Sequence, residues 1–159
     1  MTLLIDADWL IYSSCCACEQ DIQWDTNLHT LHADERDVHE MVDGRVAHYQ
    51  TIAEDDKDVV MCFTEYPTFR HTIYPEYKAN RKHKRKPLGL RKIIEGVRER
   101  YTSESYPGLE GDDVMSILAT SKKYNNSIIV SVDKDMRSVP CTLLAGDDME
   151  LITKRKADR

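Results

Sequence analysis

Four short apolar runs decide what this chain can fold into. LLI at 3–5, VVMCF at 59–63, IIVSV at 128–132 and TLLA at 142–145 are continuous, bounded by polar residues and rich in branched side chains. A strand with one wet face alternates apolar with polar. An unbroken run of this length instead marks a strand buried on both faces, as in a parallel sheet. Longer polar segments with helical spacing separate the runs. Residues 34–54 put Val38, Met41, Val46, Tyr49 and Ile52 on a broad face. Residues 88–101 put Leu90, Ile93, Ile94 and Val97 at i, i+3, i+4 and i+7, and Val114, Ile117 and Leu118 repeat the pattern in 111–124. Strands alternating with helices predict an α/β fold, with a central, mostly parallel sheet flanked by helices. The tail, AGDDMELITKRKADR, reads as a turn at Gly146-Asp147-Asp148, a last strand and a basic end.

With 159 residues, no internal repeat and no linker composition, one domain over 1–159 is expected. No apolar run approaches the ~20 residues that span a bilayer. The opening LLIDADWLIY carries two aspartates where a secretory signal would be apolar, so no membrane partner and a cytoplasmic location are expected. Five cysteines, an odd count in a chain of this length, argue against a disulfide framework. Cys15 and Cys18 form a C-x-x-C without a second pair at zinc spacing. They read as small buried residues early in a helix.

The acidic residues gather where strands end. Asp6 and Asp8 follow the first run, Glu65 lies two residues past the second, Glu110, Asp112 and Asp113 open the helix near Gly111, and Asp133 and Asp135 follow IIVSV. In an open parallel sheet, sites form outside the carboxyl ends of the strands. Carboxylates crowded on one rim cannot all stay ionised without cations. Oxygen-only ligands suit Mg²⁺ or Mn²⁺ rather than zinc. Two such ions about 4 Å apart can drive phosphodiester hydrolysis by an activated water. Any single aspartate here could simply cap the next helix, but capping does not explain the whole set.

The net charge is −6, yet Lys78, Arg81, Lys82, Lys84, Arg85 and Lys86 crowd into nine residues behind Tyr74 and Tyr77. A charge run is usually a solvated face. This one lies inside the fold, between a strand and an amphipathic helix. Lysine and arginine neutralise phosphates and tyrosine can stack on a base, so a nucleic-acid strand drawn over the acidic rim is the expected partner.

These motifs resemble the 5′→3′ exonuclease and flap endonuclease family, bacteriophage type, with its PIN-like nuclease domain. LLIDADWLIY resembles the family's first strand, YPEYKANRK the start of its helical arch, LEGDDVMSILA its central acidic motif and SVDKDMRSV the next acidic pair. The resemblance implies Asp6, Glu110, Asp112 and Asp133 as primary metal ligands, and Asp113 and Asp135 at a second metal or its waters. It implies Tyr77, Lys78 and Arg81 as DNA contacts in an arch over about 74–92, with Lys78 and Arg81 beside the scissile phosphate. Lys82, Lys84, Arg85 and Lys86 join them through their charge. Glu65 stands where the family usually has aspartate. The family's C-terminal helix–three-turn–helix region has no counterpart in these residues, which implies a minimal nuclease domain, a fragment, or one half of a split enzyme whose partner chain supplies the rest. The implied function is a Mg²⁺-dependent nuclease, a 5′→3′ exonuclease or flap endonuclease acting on single-stranded 5′ ends or flaps of DNA, in the host cytoplasm if phage-encoded. Two alternatives stand beside it: a PIN-type ribonuclease, and a DNA-binding subunit that needs a partner chain to cleave.

Overall fold

The computed structural model describes residues 1–54, 58–79 and 83–157. In chain order, β1 (Thr2–Asp6) leads into α1 (Ala7–Cys18), then the hairpin β2 (Gln20–Asp25) and β3 (Leu28–His32), then α2 (Glu35–Ile52). Next come β4 (Asp58–Cys62), the short α3 (Phe69–Ile73), α4 (Leu90–Arg100) and β5 (Thr102–Glu104). The chain closes with α5 (Gly111–Thr120), β6 (Ser127–Val130), a 3-10 turn at Lys134–Ser138, β7 (Cys141–Ala145), β8 (Asp148–Ile152) and α6 (Lys154–Ala157).

Six strands form one sheet in the order β5-β4-β1-β6-β7-β8, with every pair parallel except β7 with β8. The apolar runs explain it, because both faces are covered. Leu3, Ile5, Met61, Ile128 and Val130 pack with Leu10, Val38, Val42, Ile93 and Val97 under α1, α2 and α4. Leu4, Val60, Cys62 and Ile129 pack with Val114, Met115 and Leu118 of α5. From β1 the chain moves to β4 on one side and later returns to β6 on the other. The order therefore reverses between β1 and β6, which places a crevice at their carboxyl ends.

Several expectations need correction. Met41 is exposed and Val42 takes its place in the core, because the buried stripe of α2 runs Val38, Val42, Val46, Tyr49. Ile117 is 47% exposed, and Met115 fills the α5 core position instead. Cys15 and Cys18 lie in the last turns of α1, not its start, and only Cys15 is buried. The described residues of the expected helical arch make turns before α4, not one continuous helix. Among the described residues no helix is long and apolar enough to cross a membrane.

The far footing of the basic segment is fixed at the end of α1. Arg85 donates to both Glu19 oxygens at 2.8 and 2.6 Å, and the Leu88 N–H donates to Oε1 at 2.6 Å. These bonds, the arginine first, hold the Glu19 carboxyl down at about 2. A depressed carboxyl contributes stability above its unfolded value near 4.5, and that share is lost as pH falls toward 2. Because Arg85 is 57% exposed and screened by solvent, the effect is small. Glu19→Gln is expected to lower the melting temperature by about 2 °C at pH 7 and by only a small part of that at pH 2.5, read from thermal melts. An equal loss at both pH values would contradict the ion-pair account.

Candidate functional site

The carboxyl ends of β1 and β6 bring Asp6 and Asp133 to the crevice, and the first turn of α5 brings Asp112. Asp6 and Asp133 each also cap the element that follows. Asp6 caps α1, accepting from the Trp9 N–H at 3.1 Å, and its other oxygen accepts from the Ser131 hydroxyl at 3.3 Å. Asp133 accepts from the Asp135 N–H at 2.9 Å and caps the 3-10 turn. The Ser131 hydroxyl in turn accepts from the Asp133 N–H, tying the two strand ends together. Capping and clustering are thus compatible uses of the same residues.

Asp112 differs. Its carboxylate accepts no hydrogen bond among the described residues, and only its backbone carbonyl is engaged, by Ser116. Burial, followed by repulsion from Asp6, Asp133 and Glu110, pushes its carboxyl up to about 7. Asp6 rises to about 6, chiefly through burial, with Asp8 and Asp133 adding repulsion. Asp8 is also raised by burial. Its Oδ2 accepts from the Thr64 N–H at 2.9 Å, while the Thr64 hydroxyl accepts from the Gly111 N–H at 3.0 Å. This chain of bonds binds the ends of β1 and β4 to the start of α5. Carboxylates held where ionisation is costly are what a hard cation relieves. The donor chemistry therefore fits a divalent ion. Among the described residues, no three acidic, histidine or cysteine side chains converge tightly enough to enclose one.

The basic segment reaches the rim through Glu110, which is 6% exposed. Lys78 Nζ donates to both its oxygens at 3.0 Å, and the Tyr77 hydroxyl donates to Oε2 at 3.3 Å. Partial burial draws the Lys78 amine down, but these partners leave it above its ordinary value. Lys78 adopts a left-handed backbone, φ 55°. That conformation costs a non-glycine residue on the order of 1 kcal/mol and commonly marks functional segments. Tyr77 is braced from below: His71 meets it edge-on at 5.5 Å, and His71 itself is held by the buried Thr68 hydroxyl at 2.7 Å.

The remaining expected site residues have other partners or stand apart from the cluster. Asp113 is taken up by Arg70, whose guanidinium donates to both oxygens at 2.5 and 2.9 Å. That pairing first, and the Glu110 N–H as well, hold its carboxyl below the ordinary range. Glu65 is not brought to the cluster. It is exposed and accepts from Ser105 at 2.8 Å, toward β5, because Thr64 occupies the strand-end position. Asp135 is exposed and meets the cluster through its backbone N–H. Lys84 and Lys86 are exposed, Arg85 is held by Glu19, and Arg81 and Lys82 lie outside the described residues. Sequence reasoning missed Arg70 and His71. Both come just after the bend at Tyr66-Pro67, and the one available signal was a lone basic residue between strand and basic run.

Residues 1–156 match the family described as 5′-3′ exonuclease, N-terminal resolvase-like domain. An exodeoxyribonuclease of Enterobacteria phage T3 is 29% identical over 163 residues, covering 97% of this chain and 54% of that protein. An exonuclease of Escherichia phage T7 is 30% identical over 146 residues, covering 87% of this chain and 49% of that one. The chain thus spans about half the length of these relatives. Among solved structures, the T5 D15 protein co-crystallised with metal ions superposes with a TM-score of 0.61 at 13% identity, over 94% of this chain and 56% of that one. A T5 D15 flap endonuclease in complex with DNA and metal ions superposes with a TM-score of 0.57 at 10% identity, over 94% of this chain and 57% of its own. At such identities these likenesses establish the shared fold.

Proposed function

The chain belongs to the 5′-3′ exonuclease N-terminal resolvase-like domain family, and from that premise we propose that it is a metal-dependent nuclease hydrolysing DNA phosphodiester bonds at 5′ ends or flaps. One observation supports this reading above the rest. Asp112 is partly buried beside Asp6 and Asp133, and among the described residues its carboxylate accepts no hydrogen bond and makes no ion pair.

Asp6, Asp112 and Asp133 would hold a divalent ion, Mg²⁺ or Mn²⁺, and Glu110 would join them by exchanging Lys78 for the metal. Asp113 and Asp135 are candidates for a second ion or its waters. Such ions supply an activated water and offset the charge that develops on the phosphate. The remaining steps fall to the chain. Lys78, once released from Glu110, presents an ammonium to the phosphate beside the rim. Tyr77 offers its ring to the terminal base. Lys84 and Lys86 draw the strand in through charge, with Arg81 and Lys82 assigned alongside them.

A second reading is a DNA-binding unit that cleaves only with a partner chain, and the spacing of the carboxylates among the described residues favours it. One assay separates the two. The purified chain is incubated with 5′- or 3′-labelled duplex, flap and single-stranded DNA and an RNA control, in Mg²⁺, Mn²⁺ or EDTA. Release from DNA 5′ ends in either cation and none in EDTA is the expected result. Binding without cleavage in both cations selects the second reading, and preferential RNA cleavage overturns the DNA assignment.

A further inference from the structure

Most of the arginines on this molecule are spoken for. Arg36 pairs with Glu40, Arg70 with Asp113, Arg85 with Glu19, Arg91 with Glu95, Arg100 with Asp43 and Arg137 with Glu150. Arg45 donates to Ser13 at 2.6 Å. Among the described arginine side chains, Arg98 alone makes no hydrogen bond or ion pair. It is exposed, yet it does not hang free. Its guanidinium carbon lies 4.0 Å from the centroid of the Phe63 ring.

Phe63 is the residue just past β4 and is 1% exposed. Thr64 comes next, and the Thr64 N–H binds Asp8 on the acidic rim. The stack therefore parks a cation at the mouth of the crevice, on the α4 side. A guanidinium held over a ring through its carbon can still donate through its N–H groups, whose paired spacing matches that of phosphate oxygens. The contact with the ring restricts the side chain in advance, so less of its freedom is lost when an anion arrives. The position in the last turn of α4 is favourable for any cation, through the helix dipole. The dipole does not explain why this arginine, unlike Arg91 and Arg100 on the same helix, lacks a carboxylate partner.

We propose that Arg98 is a phosphate-contact residue of the crevice, held over Phe63 to receive the nucleic-acid backbone at the end of β4. This rests on the nuclease reading for its substrate class, but its test does not depend on cleavage. Binding of labelled single-stranded DNA is measured in Ca²⁺ across a salt series for the wild type, Arg98→Gln, Arg98→Lys and Arg91→Gln. Arg91→Gln serves as a charge-matched control on the same helix, and thermal melts check that each variant is folded. Arg98→Gln is expected to weaken binding about tenfold and to reduce the slope of log K against log salt by about one. Arg98→Lys should keep the slope and lose part of the affinity, since it retains the charge without the planar fork. With a cleavable substrate the loss falls mainly on KM. Binding and slope in Arg98→Gln equal to those of Arg91→Gln overturn the assignment even if the wild type cleaves. Arg98-dependent binding in a chain that never cleaves upholds the assignment and removes the nuclease reading. A wild type that binds no DNA removes both.

Discussion

Replacing Asp112 with asparagine is expected to abolish cleavage, by about 10³-fold or more in kcat, while making the metal-free protein more stable. The two effects have one cause. The Asp112 carboxyl is pushed to about 7 by burial and by Asp6, Asp133 and Glu110. A folded value above the unfolded one of 3.8 means that folding disfavours the charged form. The penalty is absent near pH 4, grows as pH rises toward 7 and is constant above that. An asparagine side chain is neutral throughout and escapes it. Discounted for partial solvent access, the relief at pH 8 is about 2 kcal/mol, or roughly 5 °C in melting temperature. At pH 4 the two proteins should melt together. Mg²⁺ should stabilise the wild type more than the variant, because the carboxylate it relieves is missing. A variant that melts lower than the wild type at pH 8 would show Asp112 to be a structural residue, and the metal assignment would lose its main support.

The sequence displays this half of the site openly. Asp6, Asp112 and Asp133 can be placed without coordinates because strands buried on both faces leave unmistakable apolar runs, and parallel strands deliver the residues at their carboxyl ends to one edge. The opposing cations are hidden for a physical reason. Glu19 meets Arg85 across 66 positions, and Arg70 meets Asp113 across 43. Such pairings depend on where loops return, which no local pattern encodes. The β2–β3 hairpin is equally invisible. Its residues QDIQWD and LHTLH are nearly all exposed, and cross-strand contacts such as Trp24 with Thr30 at 2.8 Å hold it together. With no face to bury, it has no period to read. Met41 and Ile117 failed for a milder reason: helical spacing identifies a stripe but leaves its edges ambiguous by one residue.

Arg70→Ala should produce the largest loss of stability among substitutions at the rim that leave the metal-binding carboxylates intact. Arg70 makes a two-point pair with Asp113 and lies 3.6 Å from Glu110. Asp113 also accepts the Glu110 N–H at 3.2 Å, closing the capping box that starts α5. Removing the guanidinium leaves the buried Glu110 and the partly buried Asp113 side by side, and among the described residues Lys78 alone is paired with either. Breaking such a charge-assisted pair costs about 2 kcal/mol, which lowers the melting temperature by roughly 5 °C at pH 7. The sign of its pH dependence is opposite to that of Asp112. Asp113 is held below its ordinary value of 3.8, so its contribution is present above that pH and is lost as the solution becomes more acidic. The Arg70→Ala deficit should therefore shrink below pH 4, where the Asp112 effect also disappears. Cleavage should fall about a hundredfold, because α5 carries Asp112 and its first turn is no longer fixed. Arg70→Lys should recover most of the stability and less of the activity, since a point charge cannot hold both Asp113 oxygens in one plane. A double-mutant cycle with Asp113→Ala decides the matter. A coupling close to the full loss locates the effect in this pair, whereas additive losses would mean that Arg70 acts through the Glu110 contact instead.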